Sequence, residues 1–296
     1  VCSMPPPTSG GLTALQILGI LQNYDLNGMG PMTLTSVHFI AEAEKLAYAD
    51  RDKYIGDPDF VDVPVEAMLD PGYLERRASE IDASMSMKKA KAGVLEDKRA
   101  MNRGLNHPID KPSTTHFSIL DSDGNAVSMT SSVEGPFGSH LMAAGMMLNN
   151  QLTDFSFVPE ENGKPVANSV APGKRPRSSM TPVIVFDAEG NFHAAIGSPG
   201  GSRIIGYVTQ TLIALIDWDM DMTGAIGLPR FLDRNGPLEI EAGTPLEQMI
   251  PDLEALGHEV KAVPLMSGLH GILVPPSGLD GAADPRRDGN VVTGER

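Results

Sequence analysis

The sequence predicts an α+β fold in which helices and β-sheets pack in layers. Apolar residues recur at helical spacing through much of residues 1–100, and the period changes to two from Thr114 onward. Strands, helices and further strands then follow, an order that indicates a layered α+β or αββα domain. With 296 residues and 41% apolar side chains, the chain can bury a sizeable core in one or two domains.

Three helices are predicted in the first hundred residues. They span residues 12–21, with Thr8 and Ser9 as candidate N-caps, residues 37–54 and residues 71–81. The segment GDPDF at 56–60 ends the second helix, because the residue before a proline avoids the helical conformation. Residues 84–107 are rich in Lys, Ala and Met, and we expect them to form an exposed connector.

Two β-hairpins are predicted after this connector. THFSILD and NAVSMTS alternate polar and apolar residues around the turn DSDGN, and PVIVFD and NFHAAIG do the same around AEG. Helices are predicted over residues 203–218 and 245–256, the second ending at Gly257. HEVKAVP and HGILVPP are predicted as later strands.

Charge and composition exclude several classes of function. The net charge of −15 repels nucleic acids and anionic membranes, so neither is an expected partner. The single cysteine, Cys2, cannot form an internal disulfide, and no Cys/His spacing predicts a metal site. No apolar run reaches the length of a membrane span. The chain begins at Val1 without a signal segment, and we expect any such segment to lie upstream.

Thr114 is a candidate nucleophile at the start of the first predicted strand. A threonine hydroxyl needs a nearby base, and cleavage of the preceding peptide bond would give Thr114 a free α-amine beside its own hydroxyl. That amine has a pKa near 8 and can act as the base at neutral pH. The alternative is that Thr114 and Thr115 open a strand because β-branched residues favour strands.

The segment GSPGGSR at 197–203 is a candidate oxyanion hole. Gly200 and Gly201 lie between a strand and a long helix, where two flexible residues can turn their N–H groups toward one point. A plain strand–helix turn and a phosphate loop are the alternatives. The phosphate loop is disfavoured because no GKS or GKT follows.

Two further segments contain candidate substrate-binding residues. LNNQLTDFS contains four side chains that can form hydrogen bonds, Asn149, Asn150, Gln151 and Asp154, of which the carboxylate could pair with an ammonium group. GKRPRSSMTP places Ser178 and Ser179 beside basic residues that could hold a carboxylate. A polar turn and an exposed basic loop are the respective alternatives.

Taken together and in this order, the motifs resemble those of the γ-glutamyltransferase (γ-glutamyltranspeptidase) family, which includes related cephalosporin acylases. SMPPPTSGG at 3–11, AEAEKLAYADRDKYIGDPDF at 41–60, TTHFS, LNNQLTDFS, KRPRSSMTP, GSPGGSRII and ADPRRDG at 283–289 carry the resemblance over essentially the whole chain. It implies a four-layer αββα sandwich of the N-terminal-nucleophile hydrolase type. It also implies catalysis without a metal or organic cofactor, and export to the periplasm or outside the cell.

The resemblance also implies a role for each matching residue. The precursor would cut itself between Ser113 and Thr114, so that residues 1–113 end a large subunit and residues 114–296 form the small subunit. Ser132 would hydrogen-bond the nucleophile Thr114. The remaining implied roles are oxyanion binding by Gly200 and Gly201, ammonium binding by Gln151 and Asp154, and carboxylate binding by Ser178 and Ser179.

Three departures from the family pattern bear on the substrate. Glu134 stands where the best-known transferases have Asn, and a carboxylate there would bind an ammonium but repel a carboxylate. The segment after Asp154 has Phe155 and Phe157 but no Tyr or Trp, which predicts a pocket more open to water. The arginine that grips the substrate carboxylate in the family is expected upstream of Val1.

The leading functional prediction is acyl transfer from γ-glutamyl compounds such as glutathione to water or an amino acid. A glutaryl-cephalosporin acylase of the same fold is the first alternative, and an inactive precursor fragment is the second. A Ser-His-Asp hydrolase is weaker, because the sequence has no G-x-S-x-G motif. His116 lies two residues from Thr114 on the same strand face, but a structural role is favoured for it.

Overall fold

The computed structural model describes residues 1–96, 102–106 and 113–294 of the protein. Its helices are α1 (Gly10–Leu21), α2 (Leu26–Met29), α3 (Leu34–Tyr54), α4 (Val65–Met68), α5 (Pro71–Ala78), α6 (Ile204–Ile216), α7 (Met222–Gly227) and α8 (Ile250–Ala255). Its strands are β1 (Cys2–Ser3), β2 (Thr114–Leu120), β3 (Ala126–Ser132), β4 (Met142–Ala143), β5 (Met146–Met147), β6 (Glu160–Glu161), β7 (Lys164–Pro165), β8 (Val183–Phe186), β9 (Phe192–Gly197), β10 (Phe231–Asp233), β11 (Leu238–Glu241), β12 (Val260–Val263), β13 (His270–Leu273) and β14 (Asp280–Ala283).

A five-stranded antiparallel sheet forms the centre of the fold, with strand order β1-β8-β9-β13-β14. Its middle strand, β9, is apolar on both faces, since Ala194, Ala195 and Ile196 are all fully buried. A strand buried on both faces must be covered on both sides by other elements. This sheet is therefore the inner layer against which the rest of the chain packs.

Helices α1 and α6 pack on this sheet, α1 against β1 and α6 against β9, and α3 packs against α1. Helix α6 is buried along almost its whole length and packs on β9 and on α1. The 21-residue α3 begins at a capping box, in which the side chains of Thr33 and Ser36 each accept a hydrogen bond from the other's backbone N–H. Within the described part of the chain, no helix is long and apolar enough to cross a membrane.

The hairpin of β2 and β3 covers the other face of the sheet. Its inward side chains are mostly polar: Ser118 and Ser128 donate hydrogen bonds to the carbonyls of Ala195 (3.4 Å) and Ile196 (3.1 Å). His116 packs directly over Gly197, where an added Cβ would lie 2.2 Å from the imidazole ring. The helix, sheet and hairpin layers confirm the predicted α+β sandwich. The outer face of the hairpin exposes Phe117, Ile119, Val127 and Met129.

A separate three-stranded sheet packs against the middle of α3, where the Asp233 N–H donates to the Glu44 carboxylate at 2.7 Å. Strands β10 and β11 pair antiparallel, and β11 and β12 pair parallel. The sequence predicted strands β12 and β13 but did not assign them partners. In the structure they belong to different sheets. The sequence did not predict β10, because it has only three residues, Phe231–Asp233, and all of them are buried.

Most predicted elements agree with the structure, but in the helix predicted at 245–256 only Ile250–Ala255 are α-helical and Pro245–Met249 form a 3₁₀ turn. Both hairpins and the helices predicted at 12–21, 37–54 and 203–218 are confirmed, while the helix predicted at 71–81 ends at Ala78. The prediction of an exposed connector is wrong for part of residues 86–95, although Lys88, Lys89, Lys91 and Val94 are exposed as expected. Ser86, Ala90 and Leu95 are buried there, and the Gly93 carbonyl accepts a hydrogen bond from the Tyr54 hydroxyl at 2.6 Å. Residues 97–101 and 107 of the connector lie outside the described residues.

A fully buried ionic cluster joins α3 to this segment and to β10. The Lys45 ammonium lies 2.7 Å from the Glu42 carboxylate and 3.4 Å from that of Asp233, and it donates to the Ser86 hydroxyl at 2.6 Å. Burial raises the pKa of Asp233 to about 7, although Lys45 opposes this shift. One lysine thus balances two buried carboxylates.

Two histidines extend this cluster. His258 lies 3.3 Å from Lys45 through Nδ1 and 2.8 Å from His38 through Nε2. If Lys45 donates, His258 must donate through Nε2 to His38, which in turn donates to the Asp82 carbonyl (2.8 Å). His38, Glu42 and His258 are close enough to hold a metal ion, but the Lys45 ammonium already supplies the positive charge beside Glu42.

We expect Lys45→Met to destabilise the protein by about 3 to 5 kcal/mol, because it leaves the Glu42 and Asp233 carboxylates buried without a counter-charge. The measurement is urea unfolding at pH 7. Lys261→Met is the matched control, since Lys261 pairs with Glu259 at 3.0 Å on the exposed surface and should lose less than about 1 kcal/mol. Equal effects of the two substitutions would contradict the account of the cluster.

The hairpin–sheet contact should make stability depend on pH. Burial first, and then the charge of His270, lower the pKa of His116 from 6.5 to about 3. The unfolded chain therefore binds more protons than the folded chain between these two values. Stability is complete above about pH 6.5 and falls as the pH is lowered toward 3.

We expect His116→Gln to reduce the loss of unfolding free energy between pH 7.5 and 5.5 by about 1.4 kcal/mol. The measurement is urea unfolding at several pH values. A residual dependence of the same sign should remain, because burial also lowers the pKa of His258, to about 4. The exposed His140→Asn variant is the control and should follow the wild type. An unchanged slope in His116→Gln would show that His116 becomes protonated in the folded protein.

Candidate active site

Thr114, the first residue of β2, lies opposite Ser132, the last residue of β3. The Thr114 hydroxyl donates to the Ser132 hydroxyl at 3.2 Å, and the Ser132 hydroxyl donates to the carbonyl oxygen of Ser113 at 2.6 Å. The Glu134 backbone N–H donates to Ser132 Oγ at 2.8 Å. A directed hydrogen-bond chain thus runs from the Thr114 hydroxyl to the carbonyl of the peptide bond that precedes it.

Glu134 lies beside this chain and is held in an unusual conformation. Its φ of 75° is in the left-handed region, which non-glycine residues rarely adopt and which is found mainly at functional sites. Its side chain is buried and accepts a hydrogen bond from the Asn150 amide, whose oxygen accepts the Gly135 N–H at 2.8 Å. Asn150 therefore fixes the Glu134 carboxylate at the pocket instead of facing the pocket itself.

A 3₁₀ turn at Gln151–Asp154 presents two polar side chains to the same pocket. The Gln151 amide donates to the Asp154 carboxylate at 3.1 Å, and Asn149 Oδ1 accepts the Gln151 backbone N–H at 3.0 Å. The Asp154 carbonyl accepts from Asn168 at 2.7 Å. Gln151 and Asp154 line the pocket, while Asn149 supports the turn.

Ser178 and Ser179 reach the pocket from the loop before β8. The Ser178 carbonyl accepts from both the backbone N–H and the hydroxyl of Ser9, at 2.8 and 2.7 Å, which ties this loop to the start of α1. The Ser179 hydroxyl accepts from the Arg51 guanidinium at 2.7 Å. Arg51 comes from the end of α3 and lines the pocket, a position that the sequence did not predict.

Arg177 adds a second guanidinium to this wall of the pocket. Both Arg51 (3.1 Å) and Arg177 (2.9 Å) pair with the Asp52 carboxylate. Burial first, and then the charge of Arg51, lower the pKa of Arg177 to about 10. Two arginines share one aspartate, so the wall keeps positive charge for an anionic group. Arg177 was among the basic residues expected beside Ser178 and Ser179, whereas the contribution of Arg51 to this wall was not predicted.

Gly200 and Gly201 form the turn between β9 and α6. Their φ values of 142° and 61° lie where side chains cause strain, and a Cβ on Gly200 would lie 2.9 Å from the Tyr207 ring. Gly201 lines the pocket, and Gly200 directly precedes it at the start of the 3₁₀ turn. Because both residues are glycines, no side chain of theirs lies between the backbone of this turn and the pocket.

The structure brings most of the predicted site residues into one pocket. Its lining includes Thr114, Ser132, Glu134, Gln151, Asp154, Ser178, Ser179 and Gly201, together with Arg51 and Arg177. The free volume is about 50 Å³, room for a few water molecules. Phe155 is buried, Phe157 is exposed, and neither lines the pocket.

His116 is not part of this pocket. Its Nδ1 lies 2.8 Å from the Thr130 hydroxyl and its Nε2 lies 3.2 Å from that of Ser118. Both ring nitrogens thus already have hydrogen-bond partners within the hairpin. The favoured structural role of His116 agrees with this position, and the Ser-His-Asp alternative has no support from it.

The chain is similar in sequence to two kinds of curated protein. Glutathione hydrolase proenzyme from Escherichia coli (strain K12) is 40% identical over 311 residues, covering 99% of this chain and 50% of the relative. Acylase ACY 1 proenzyme from Pseudomonas sp. (strain SE83) is 36% identical, covering 97% of this chain and 49% of the relative. The chain therefore spans about half the length of the curated relatives it matches.

Solved structures match the fold of this chain. Cephalosporin acylase from Bacillus halodurans superimposes with a TM-score of 0.82 at 26% identity, over 99% of this chain and 51% of that one. A γ-glutamyltranspeptidase chain from Pseudomonas nitroreducens gives a TM-score of 0.55 at 34% identity, over 61% of this chain and 100% of that one. The sequence pattern of the gamma-glutamyltranspeptidase family matches residues 1–294, and the chain belongs to this family.

Proposed function

We propose that this chain is the C-terminal part of a self-cleaving γ-glutamyl acyltransferase and hydrolase, with Thr114 as the nucleophile. The hydrogen-bond chain from Thr114 through Ser132 to the Ser113 carbonyl carries this proposal. It places a hydroxyl beside the peptide bond that must be cut, in a pocket that already holds anionic and cationic recognition groups. Relatives named glutathione hydrolase proenzyme support both the activity and the cleavage.

Self-cleavage would begin with attack of Thr114 Oγ1 on the carbonyl carbon of Ser113. Ser132 donates to the carbonyl oxygen and stabilises the negative charge that develops there. The C–N bond then breaks, the Thr114 nitrogen takes up the hydroxyl proton, and an ester joins Ser113 to Thr114. Water hydrolyses this ester, which leaves a carboxylate on Ser113 and a free α-amine on Thr114.

The liberated Thr114 would then act on substrate. Its α-amine, with a pKa near 8, takes the proton as Oγ1 attacks the γ-glutamyl carbonyl. The amides of Gly200 and Gly201 would hold the oxyanion, since this turn lies at the pocket. The amine leaves with the proton, and water or an amino acid releases the glutamyl group from the Thr114 ester. We propose that these steps need no metal or organic cofactor.

The two ends of the glutamyl group would be recognised by opposite charges. Asp154 with Gln151 faces the α-ammonium group, and Ser178 and Ser179 face the α-carboxylate. Arg51 strengthens the carboxylate side, because it donates to the Ser179 hydroxyl from the cationic wall. The pocket thus matches the amino acid end of a γ-glutamyl compound.

A glutaryl-type acylase is the second candidate. Glu134 places a second carboxylate in the pocket with Asp154, but it would repel the carboxylate that γ-glutamyl and glutaryl groups both carry, so this repulsion does not separate the two acyl groups. Relatives named acylase and the match to cephalosporin acylase support this alternative. A glutaryl amide has no α-ammonium, so the role of Asp154 separates the two candidates.

The proposed cleavage divides the chain into residues 1–113, the end of the large subunit, and residues 114–296, the small subunit. The match to the P. nitroreducens chain supports this division. It covers the whole of that chain, and the fraction of this chain that it covers is close to the fraction formed by residues 114–296. The two subunits would remain together as partners. We further propose a periplasmic or extracellular location.

We expect the wild-type protein to separate into fragments 1–113 and 114–296, and Thr114→Ala to abolish both cleavage and turnover. The alanine variant has no hydroxyl to attack the Ser113 carbonyl. Denaturing mass spectrometry measures cleavage, and release of p-nitroaniline from γ-glutamyl-p-nitroanilide measures turnover. Thr114→Ser keeps the hydroxyl and should retain both reactions.

Ser131→Ala is the matched control, since Ser131 is a hydroxyl residue on the same hairpin whose side chain faces outward. It should cleave as the wild type does. Cleavage that persists in Thr114→Ala would remove Thr114 as the agent. An intact wild-type chain without turnover would instead support the inactive precursor fragment.

Asp154→Asn should separate the two acyl groups. We expect kcat/KM for γ-glutamyl-p-nitroanilide to fall about tenfold or more, because the α-ammonium loses a charged hydrogen-bond partner. The value for glutaryl-p-nitroanilide should change by less than about twofold, because glutarate has no ammonium group. Equal losses on both substrates would exclude Asp154 from ammonium binding. A wild-type glutaryl rate at least equal to the γ-glutamyl rate would favour the acylase.

A further inference from the structure

A second and larger cavity, of about 650 Å³, opens beside the end of α3. Among the described residues, five positively charged side chains line it: Lys53, Lys89, Lys91, Arg103 and Arg234. Only one lining residue, Asp52, carries a carboxylate. The whole chain has 23 Lys and Arg residues against 38 Asp and Glu residues, so this basic pocket reverses the charge balance of the protein.

Arg234 of the basic pocket pairs with Glu239 at 3.0 Å, but no carboxylate among the described residues pairs with the three lysines. Asp52 already pairs with Arg51 and Arg177 of the catalytic pocket. In the described part of the chain, Lys53, Lys89 and Lys91 form no ion pair. Burial, and then repulsion from Lys164, lower the pKa of Lys53. An anion in the cavity would relieve this repulsion.

Asn106 supplies a separate sign that the basic pocket takes a ligand. Asn106 lines the cavity and is 3% exposed, yet among the described residues neither its side-chain oxygen nor its side-chain nitrogen has a hydrogen-bond partner. A buried amide left unsatisfied costs about 1 to 3 kcal/mol, so such groups are rare without a function. Its backbone N–H donates to the Asp52 carbonyl at 3.0 Å, which fixes the residue in place.

The basic pocket adjoins the catalytic pocket. A small depression between them is lined by Arg51 and Ser202, which also line the catalytic pocket, and by Asp52 and Arg234, which also line the basic pocket. A molecule could therefore lie in one pocket and extend toward the other. The two sites also share their electrostatics through Asp52.

We propose that the basic pocket is an anion site for a small molecule rich in carboxylates. The ammonium groups of Lys53, Lys89 and Lys91 balance its charge, and the Asn106 amide donates to one of its oxygens. Such carboxylates have two possible sources: a free polycarboxylate, or the far end of an acidic substrate whose acyl group occupies the catalytic pocket. The binding itself does not depend on the proposed acyl transfer.

Citrate is the probe for this site. We expect the wild-type protein to bind citrate in a calorimetric titration at low salt, and added NaCl to weaken binding by screening. The double variant Lys89→Gln/Lys91→Gln should bind about tenfold more weakly or worse. Lys261→Gln removes one exposed lysine outside the cavity and should bind as the wild type does. Absence of citrate binding, or equal affinity in all three proteins, would overturn the proposal.

Asn106→Leu separates binding from a structural role. Leucine is similar in size and leaves no buried polar atom unsatisfied, so the variant should unfold at the same or a higher urea concentration. It should nevertheless bind citrate several-fold more weakly, because the amide donor is lost. Lower stability with unchanged citrate affinity would assign Asn106 to the fold alone and remove it from the anion site.

Kinetics then identify the source of the carboxylates. If the substrate itself reaches the basic pocket, Lys89→Gln/Lys91→Gln should raise KM for a γ-glutamyl dipeptide that ends in glutamate, but not for γ-glutamyl-p-nitroanilide. If the ligand is a free anion, citrate binding is lost in the variant while both KM values stay the same. Absence of turnover would count against the proposed function only, since the citrate titration needs no activity.

Discussion

The position of Thr114 depends on the close contact between the β2–β3 hairpin and the central sheet. Gly197 has no side chain, and the His116 ring fills the space where a Cβ would stand. Thr130 and Ser118 hold the same ring within the hairpin, and Ser118 and Ser128 donate to carbonyls of β9, so the hairpin cannot slide along the sheet without breaking contacts to β9. Because β-strand side chains alternate, the register that turns His116 inward also turns Thr114 inward.

This register explains why a polar hairpin can serve as an inner layer. Ser118 and Ser128 satisfy their hydroxyls on carbonyls of β9, so the layer loses little by being polar. Strand β9 leads directly into Gly200 and Gly201, and β2 begins at Thr114. The contact that holds the hairpin on β9 therefore also sets the distance between Thr114 and the glycine turn.

The sequence predicted those parts of the site that are local in the chain. Thr114, the turn at Gln151–Asp154, the two serines and the two glycines stand in short motifs whose composition indicates their chemistry. Arg51 was missed because it appears as one more charged residue on a long helix, and its partner Ser179 is 128 residues away. Asn150 was grouped with the ligands, yet its hydrogen bond to Glu134 gives it a supporting position.

The fold was predictable to a similar extent and for the same reason. Hairpins and amphipathic helices are encoded by nearby residues, so the periodicity located them. The burial of residues 86–95 depends instead on distant partners, such as Glu42 for Ser86 and Asp50 for Gly93. A Lys- and Ala-rich composition favours exposure only where no buried carboxylate is available as a partner. The composition of a segment does not show whether such a carboxylate lies nearby in the fold.

The contacts that hold the hairpin also shape the narrow pocket around Thr114. With Ser113 and Thr114 joined, the pocket has about 50 Å³ of free space, and Ser132 is occupied by the Ser113 carbonyl. The hydroxyl, the donor and the carbonyl that the proposed cleavage requires are therefore together before any substrate arrives. In the proposed reaction, cleavage would release Ser132 from the Ser113 carbonyl and give Thr114 its free α-amine, so the chain would cut itself before it acts on another molecule.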